Sequence, residues 1–353
     1  MDQALTSKYH FETGVYRPPS EGGSHSLLIR LTRNCPWNRC GFCAMYKDNK
    51  FEIRTPKEIK SDIDAMASLR DDLQATSHAI GHDGAMTRET LITLMGKTPE
   101  LDHHPGFVMF YHWLLSGART VFLQDANSLI MKTDALVDVL VYLRQIFPSI
   151  NRVTTYARSK TLVHKSLEEL KAIREAGLDR LHVGLETGND ELLKRIKKGV
   201  TAEGHVKGGT KAMEAGFQLS EYWMPGLGGK QLWKEHATHT AEVLNQINPH
   251  YIRSRPYYVV PGTPLHADLE AGKLVLLSPE EQLLELKRMV EALSITARVC
   301  FDHAGNYWKD REGHLLFTQS YEGYKFPEEK DVVLARIEEG LKSKNRRPNF
   351  LNL

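Results

Sequence analysis

Three of the four cysteines in this chain, Cys35, Cys40 and Cys43, lie within nine residues in the pattern C-x4-C-x2-C. A short irregular loop can turn three thiols toward one centre, and soft thiolate ligands select zinc or iron–sulfur clusters. The pattern allows a [4Fe–4S] cluster with one open iron, a plant-type [2Fe–2S] cluster with Cys300 as fourth ligand, or a structural zinc completed by a histidine. Because the three cysteines directly follow the first predicted strand, whereas Cys300 lies far along the chain, the open-site cluster is favoured.

The composition is that of an ordinary globular protein, with 353 residues, 41% of them hydrophobic and 25% charged. Such a length suits one α/β barrel, or one large domain with a small appendage. Lys and Arg number 46 against 44 Asp and Glu, a net charge of +2, which argues against a nucleic-acid partner. We see no signal peptide and no apolar run near the roughly 20 residues of a membrane span. The sequence therefore predicts a soluble, cytoplasmic protein.

Six apolar segments alternate with helical segments, which predicts parallel strands joined by crossover helices. The predicted strands cover residues 26–32, 120–125, 152–157, 180–185, 218–223 and 251–260. Functional side chains of such folds gather at the carboxyl ends of the strands. Polar or glycine residues follow five of the predicted strands at Cys35, Asp125, Arg158, Glu186 and Gly226. We therefore expect one shared site at this edge.

The strand–helix pattern also predicts the domain organisation. Residues 25–265 form the predicted core, preceded by an N-terminal extension over residues 1–24. Residues about 76–115 are rich in Gly, His and Pro and predict an insertion within the core. The alternation stops after residue 265, and helical patterns over residues 279–293 and 328–342 predict a mostly helical C-terminal extension over 266–353.

The core resembles the radical S-adenosylmethionine (radical SAM) superfamily, especially its iron–sulfur oxidoreductase-like branch. The resemblance rests on the cysteine loop and on four further segments, at residues 122–127, 183–188, 197–201 and 224–229. The superfamily's usual spacing is C-x3-C-x2-C, so this chain has one extra residue between Cys35 and Cys40. The resemblance implies an α/β fold, a partial (βα)6 TIM-like barrel, here followed by the helical extension.

The resemblance further implies what the cysteine loop binds. Cys35, Cys40 and Cys43 would each bind one iron of a [4Fe–4S] cluster. The amino and carboxylate groups of S-adenosyl-L-methionine (SAM) would chelate the fourth iron. Phe42, just before the last cysteine, matches the aromatic position beside the adenine of SAM.

Other matched positions imply contacts with the rest of SAM. Gln124 and Asp125 occupy the place of a Gly-Gly-Glu motif that meets the SAM amino group, and an anionic acceptor suits that donor. Glu186 matches an acidic residue near the ribose or methionine. Lys198 matches a basic position that pairs with the SAM carboxylate, and Arg158 is a second candidate for that role.

The implied activity is enzymatic. Gly226 would let the backbone lie against the adenine. A one-electron donor such as flavodoxin or ferredoxin would reduce the cluster, SAM would be cleaved to methionine and a 5′-deoxyadenosyl radical, and the radical would abstract hydrogen from an unidentified small molecule. Arg253, Arg255 and Tyr257 alternate along the sixth predicted strand, and inward arginines would suit an anionic substrate. The alternative function is a non-catalytic electron-transfer protein with Cys300 as fourth cluster ligand.

Overall fold

A computed structural model describes residues 8–14 and 26–343 of the chain. It is an α/β protein in which eight strands belong to a mostly parallel sheet. The predicted fold class, an α/β partial barrel, is confirmed. The contacts divide the chain into two compact units. Among the described residues, the first unit comprises 8–14, 26–36, 50–156 and 171–180, and the second comprises 37–49, 157–170 and 181–343.

The first unit is built around parallel strands with helices packed on them. Its strands are β1 (Ser26–Arg30), β2 (Thr32–Arg33), β3 (Glu52–Ile53), β4 (Thr120–Gln124) and most of β5 (Arg152–Ala157). Its helices include α1 (Pro56–Ala79), α2 (Arg88–Lys97), α3 (Phe107–Leu115) and α4 (Thr133–Ile146). Strand β4 pairs in parallel with β1 and with β5. Buried Val121 and Leu123 of β4 and Leu140 of α4 are part of the core that holds these elements together.

Helix α1 begins at a capping box. The Thr55 side chain accepts a hydrogen bond from the Glu58 backbone, and the Glu58 carboxylate accepts one from the Thr55 backbone. Pro56 at the first helical position needs no hydrogen-bond partner. The stretch predicted as an insertion, about 76–115, contains the end of α1 together with α2, α3 and a 3₁₀ turn at Pro99–His103.

The second unit contains the remaining strands and most of the helices. The strands are β6 (Arg180–Glu186), β7 (Gln218–Trp223), β8 (Tyr251–Ser254), β9 (Arg298–Cys300) and β10 (Tyr324–Lys325). The helices in this part of the chain are α5 (Ser159–His164), α6 (Leu167–Glu175), α7 (Asp190–Arg195), α8 (Ala202–Glu214), α9 (Gly229–Ile247), α10 (Pro264–Glu270), α11 (Pro279–Ala292) and α12 (Lys330–Lys342). Strand β8 pairs in parallel with β7 and β9, and β10 is antiparallel to β9. The segment after residue 265 thus adds two short strands to its helices.

The sixth predicted strand, 251–260, ends earlier than the sequence suggested, at Ser254. Pro256 has no backbone N–H and cannot continue the ladder. Arg255 donates its backbone N–H to Trp223 O, and Tyr257 donates to Pro225 O. The prediction that Arg253, Arg255 and Tyr257 share one strand face is therefore wrong, because two of the three lie beyond the strand.

Candidate functional site

The cysteine loop consists of turns that follow the strands of the first unit. Cys35 comes just after β2, and the Cys43 N–H donates to Cys40 O at 3.3 Å. All three side chains are partly exposed, and none of the four cysteines of the chain forms a disulfide bond. Three reduced thiols on an accessible loop are a donor set that fits a thiolate-ligated cluster.

Phe42 directly follows Gly41, which two backbone hydrogen bonds anchor. The Gly41 N–H donates to Ile196 O at 2.8 Å, and Gly41 O accepts from the Leu265 N–H at 3.0 Å. The Phe42 ring packs against an apolar cluster of the second unit. The buried members of that cluster are Leu192, Ile196, Met224, Leu227, Tyr257, Leu265 and Leu274. The predicted aromatic position thus lies on an apolar surface that includes the segment just after β7.

In the first unit, Asp125 is buried at the end of β4. Its Oδ2 accepts from Arg30 Nη2 at 2.8 Å and from the Asn34 N–H at 2.8 Å. Its Oδ1 has no hydrogen-bond partner in the described part of the chain. A buried, unsatisfied carboxylate oxygen is costly unless a donor reaches it. Asp125 therefore retains an acceptor that fits the amino group assigned to it by the resemblance.

Gln124 is engaged by the segment before β1. Its Oε1 accepts from the Gly14 N–H at 2.8 Å, and its Nε2 donates to Gly14 O at 3.2 Å. A Cβ atom on residue 14 would lie 2.3 Å from Asp125 Oδ1. Glycine is therefore required there for the segment to lie against the end of β4, a contact that the sequence did not indicate.

In the second unit, Glu186 and Lys198 bind each other. Lys198 Nζ lies 2.7 Å from Glu186 Oε1, and both side chains are mostly buried. Gly184 makes room for the pair, because a Cβ there would lie 2.2 Å from Glu186 Oε1 and 2.9 Å from Lys198 Nζ. The two residues predicted to contact SAM are thus brought together, and each balances the charge of the other.

Glu221 of β7 was missed by sequence reasoning, which placed it only within a strand. It is fully buried, and neither carboxylate oxygen has a hydrogen-bond partner among the described residues. Burial raises its pKa well above the usual value; Lys198 opposes this shift and Glu186 adds to it. Glu221 is therefore a neutral acid beside the Glu186–Lys198 pair, and such perturbed groups cluster at functional sites.

Arg158 lies just after β5 and is bound through the backbone of the Lys198 segment. Its Nη2 donates to Lys198 O at 2.8 Å, and its guanidinium lies 4.9 Å from the centre of the Trp37 ring. Nearby, His205 shares a hydrogen bond with Ser159 at 2.6 Å. Burial lowers the pKa of His205 well below its usual value, and the charges of Lys198 and Arg158 lower it further. The histidine is therefore neutral, and the net charge here comes from the two basic side chains and Glu186.

Gly226 follows β7 with φ = 85°, a conformation that favours glycine. Its N–H donates to Oε2 of Glu285, on α11, at 2.5 Å. Glu285 is fully buried, and burial raises its pKa to about 8, against the lowering effect of this hydrogen bond. A protonated carboxyl group from the C-terminal extension thus fixes the Gly226 loop. The sequence indicated only that Glu285 lies on a predicted helix.

Cys300 is enclosed on β9 in the second unit. It is fully buried, and its Sγ donates to Tyr321 O at 3.5 Å. Burial raises the pKa of this thiol to about 12, against the opposing charge of Arg253. Arg253 in turn is paired with Asp302 at 2.9 Å. A protonated, enclosed thiol is a poor iron ligand, so the four-cysteine alternative is not favoured.

Two other clusters carry no support for a metal site. His236 and His239 lie three residues apart on α9, but His236 is fully buried and hydrogen-bonded to Thr187 Oγ1 and Met224 O. Burial lowers the pKa of His236 to about 4, so it is a packed neutral residue. Asp310, Glu312 and His314 place their ligand atoms within 4.8 Å of one another, but two of the three are exposed.

Comparison with known proteins gives a family match for part of the chain. The model of the family described as "Radical SAM superfamily" matches residues 114–237. Over this segment, about a third of its length, the chain is similar to the radical SAM superfamily. The members of this superfamily are enzymes that use a [4Fe–4S] cluster and SAM and take electrons from one-electron donors. No helix among the described residues is long and apolar enough to cross a membrane.

Two curated proteins and one solved structure are similar to parts of this chain. It is 24% identical over 173 residues to the heme chaperone HemW of Bacillus subtilis, covering 49% of this chain and 45% of that protein. It is 25% identical over 124 residues to a tRNA uridine(34) acetyltransferase of Methanocaldococcus infernus, covering 33% and 22%. The coproporphyrinogen III oxidase structure HemN of Escherichia coli aligns with a TM-score of 0.47 at 16% identity, over 77% and 54% of the two chains. The chain spans less than half the length of the curated relatives it matches.

Proposed function

We propose that this chain is a radical SAM enzyme that binds a [4Fe–4S] cluster through Cys35, Cys40 and Cys43 and abstracts hydrogen from a small molecule. The observation that carries the proposal is the partly exposed C-x4-C-x2-C loop, whose Phe42 packs on the apolar surface after β7. With SAM and an electron, the bound cluster would supply reductive cleavage to methionine and a 5′-deoxyadenosyl radical.

The other site residues would bind and orient SAM. Asp125 Oδ1 offers a buried acceptor for the SAM amino group. Lys198, already balanced by Glu186, would meet the SAM carboxylate, with Arg158 as a second cation. The Gly226 loop, fixed by Glu285, would present backbone to the adenine.

The substrate is proposed only as a small molecule. In the sequence, the arginines of the sixth predicted strand supported an anionic substrate. In the structure the charge of Arg253 is balanced by Asp302, so Arg253 does not support that choice. We propose a flavodoxin or a ferredoxin as the electron donor, because the cluster requires one electron for each SAM cleaved.

Anaerobic reconstitution with iron and sulfide tests the proposal. After dithionite and SAM are added, we expect 5′-deoxyadenosine, measured by liquid chromatography and mass spectrometry. Replacing Cys35, Cys40 or Cys43 with Ala should abolish both the cluster absorbance and this product. Cys300→Ser is the matched control and should retain both. The proposal is wrong if the reduced, iron-loaded protein forms no 5′-deoxyadenosine above background, and loss of the cluster in Cys300→Ser would support the electron-transfer alternative.

A further inference from the structure

Three cationic side chains of the second unit lie close to the indole ring of Trp37, which belongs to the cysteine loop. Arg39 lies 5.1 Å from the ring centre, Arg158 lies 4.9 Å away and Lys160 Nζ lies 5.7 Å away. A cation within about 6 Å of an indole is attracted to the electron-rich ring. Charges that would repel one another are therefore held on one aromatic side chain.

The indole itself is held in place by the segment after α7. Trp37 Nε1 donates to Lys197 O at 2.7 Å. Gly199, with φ = 76°, lies so close that a Cβ there would be 2.4 Å from the Trp37 ring. The ring is thus fixed by a hydrogen bond and by close packing, and the cations around it form a preorganised surface. We call Trp37, Arg39, Lys160 and Lys197 the Trp37 patch.

The positive charge of the Trp37 patch is not neutralised. Arg39, Lys160 and Lys197 are exposed, and none of them pairs with a carboxylate of the described residues. By contrast, exposed Lys230 of the same unit lies 2.9 Å from Glu281, and half-buried Lys287 lies 2.6 Å from Glu338. The whole chain has a net charge of only +2, so the excess of positive charge at the Trp37 patch is local and is not a general property of the protein.

The Trp37 patch is part of the cysteine loop. Trp37 and Arg39 lie between Cys35 and Cys40 in the sequence, and Arg39 directly precedes Cys40. A protein bound to these side chains would therefore touch the loop that we propose binds the cluster. Unbalanced positive charge at such a place favours an acidic partner, since charge complementarity steers and orients association.

We propose that the Trp37 patch is the docking surface for an acidic one-electron carrier protein of the flavodoxin type. The inference rests on the proposed function. In the transfer, the reduced flavin of the carrier loses one electron and the oxidised cluster gains it, and no atom is exchanged. An RNA partner is disfavoured, because single-stranded bases stack on open aromatic faces and here the protein's own cations lie over the Trp37 ring.

Binding tests the surface without relying on catalysis. The double variant Arg39→Glu/Lys160→Glu of the reconstituted protein is titrated with an acidic flavodoxin by calorimetry. We expect the Kd to rise at least about tenfold at low salt, and the difference to shrink near 1 M salt, where the Debye length is about 3 Å. The matched control, Lys234→Glu/Lys309→Glu, makes the same charge change at two exposed lysines of the unit outside α5 and α8, and should bind as the wild type does.

Reduction separates this proposal from the proposed function. With flavodoxin hydroquinone as donor, the Arg39→Glu/Lys160→Glu variant should form 5′-deoxyadenosine at least about tenfold more slowly than the control. With dithionite, the two should be equal, and their iron content should match. Equal Kd values and equal flavodoxin-driven rates would overturn the docking surface. Absence of product from the wild type with dithionite would instead overturn the proposed function. If the variant loses affinity for tRNA but not for flavodoxin, the patch belongs to a nucleic-acid partner and the proposal is wrong.

Discussion

Two buried carboxyl groups of the second unit have strongly perturbed pKa values. Glu221 and Glu285 are both fully buried and both have raised pKa values. Glu285 keeps one hydrogen bond, from Gly226, and Glu221 keeps none among the described residues. Since burial favours the neutral form of a carboxyl group, each side chain is a candidate hydrogen-bond donor at neutral pH. Their environments, rather than their identities, give them this property.

Glu285 makes stability depend on pH in a predictable direction. With its pKa raised to about 8, the folded protein keeps a proton that the unfolded chain releases above pH 4.5. The contribution to stability is complete below pH 4.5 and is lost as the pH rises toward 8, by at most about 1.4 kcal/mol per pH unit. Glu285→Gln keeps an acceptor for Gly226 but does not titrate, so its stability relative to the wild type should increase from pH 5 to pH 8.

Urea unfolding of Glu285→Gln at several pH values measures this difference. Glu280→Gln, an exposed change on the same helix, is the control, and its difference from the wild type should stay constant over the range. A Glu285→Gln difference that does not vary with pH would contradict the assignment of a neutral carboxyl group.

Among the elements, α8 carries two adjacent glycines in its interior, Gly208 and Gly209. Glycine lowers helix stability by roughly 1 kcal/mol relative to alanine, so the sequence alone would favour replacing them. The structure gives the reason for their presence. A Cβ on residue 208 would lie 2.8 Å from the backbone oxygen of Ser159, where α5 begins, and one on residue 209 would lie 2.8 Å from the Ile247 side chain.

Gly208→Ala should therefore destabilise the protein despite its gain in helix propensity. We expect a net loss of about 1–2 kcal/mol, because the close backbone of α5 must move. Gly96→Ala is the matched control, since nothing lies within 4 Å of a Cβ at that position of α2. It should stabilise the protein by about 0.5–1 kcal/mol. Thermal and urea unfolding would show the opposite signs, and a stabilised Gly208→Ala would mean that α5 and α8 pack less closely.

At the scale of the whole molecule, the segment at residues 8–14 belongs to the first unit. Three guanidinium groups converge on Glu12. Arg30 lies 2.8 Å away, Arg33 lies 2.6 Å away and Arg54 lies 3.4 Å away. Arg30 also binds Asp125, so this network connects the segment before β1 to the end of β4. The domain boundaries drawn from the sequence at residues 24 and 265 stay predictions.

Removing the Glu12 charge should weaken the first unit at neutral pH. Burial works to raise the pKa of Glu12, but hydrogen bonding to Arg33 and the charges of Arg54 and Arg30 outweigh it and lower the pKa below 4.5. Its contribution is therefore present above pH 4.5 and is lost as the pH falls through the lowered value. We expect Glu12→Gln to cost about 2 kcal/mol at pH 7, less than a fully buried pair, and little at acidic pH.

The control for Glu12 is Glu52→Gln. Glu52 also pairs with Arg33, at 3.0 Å, but its side chain is 45% exposed. Surface pairs contribute about 1 kcal/mol or less, so this variant should remain close to the wild type. Urea unfolding at pH 7 compares the two. Equal losses would show that the Glu12 network acts as an ordinary surface pair.

The sequence by itself determined the features that depend on local pattern. The cysteine spacing and the six apolar strands are each written in a few neighbouring residues. They were sufficient to predict the α/β class, which is confirmed, and the superfamily, whose model matches residues 114–237, and to propose the cluster ligands. The sixth strand was extended too far because its apolar run was weighed more heavily than Pro256.

Only the tertiary structure decided which partner each buried polar group receives. Glu285 and Gly226 are 59 residues apart, and Asp125 and Arg30 are 95 apart. Hydrogen bonds and ion pairs act over a few ångströms, so they form only between groups that packing brings together. The same holds for Trp37 and the cations around it. Identity and spacing therefore indicated which residues could do chemistry, and the fold determined their charge, their neighbours and the surface on which they lie.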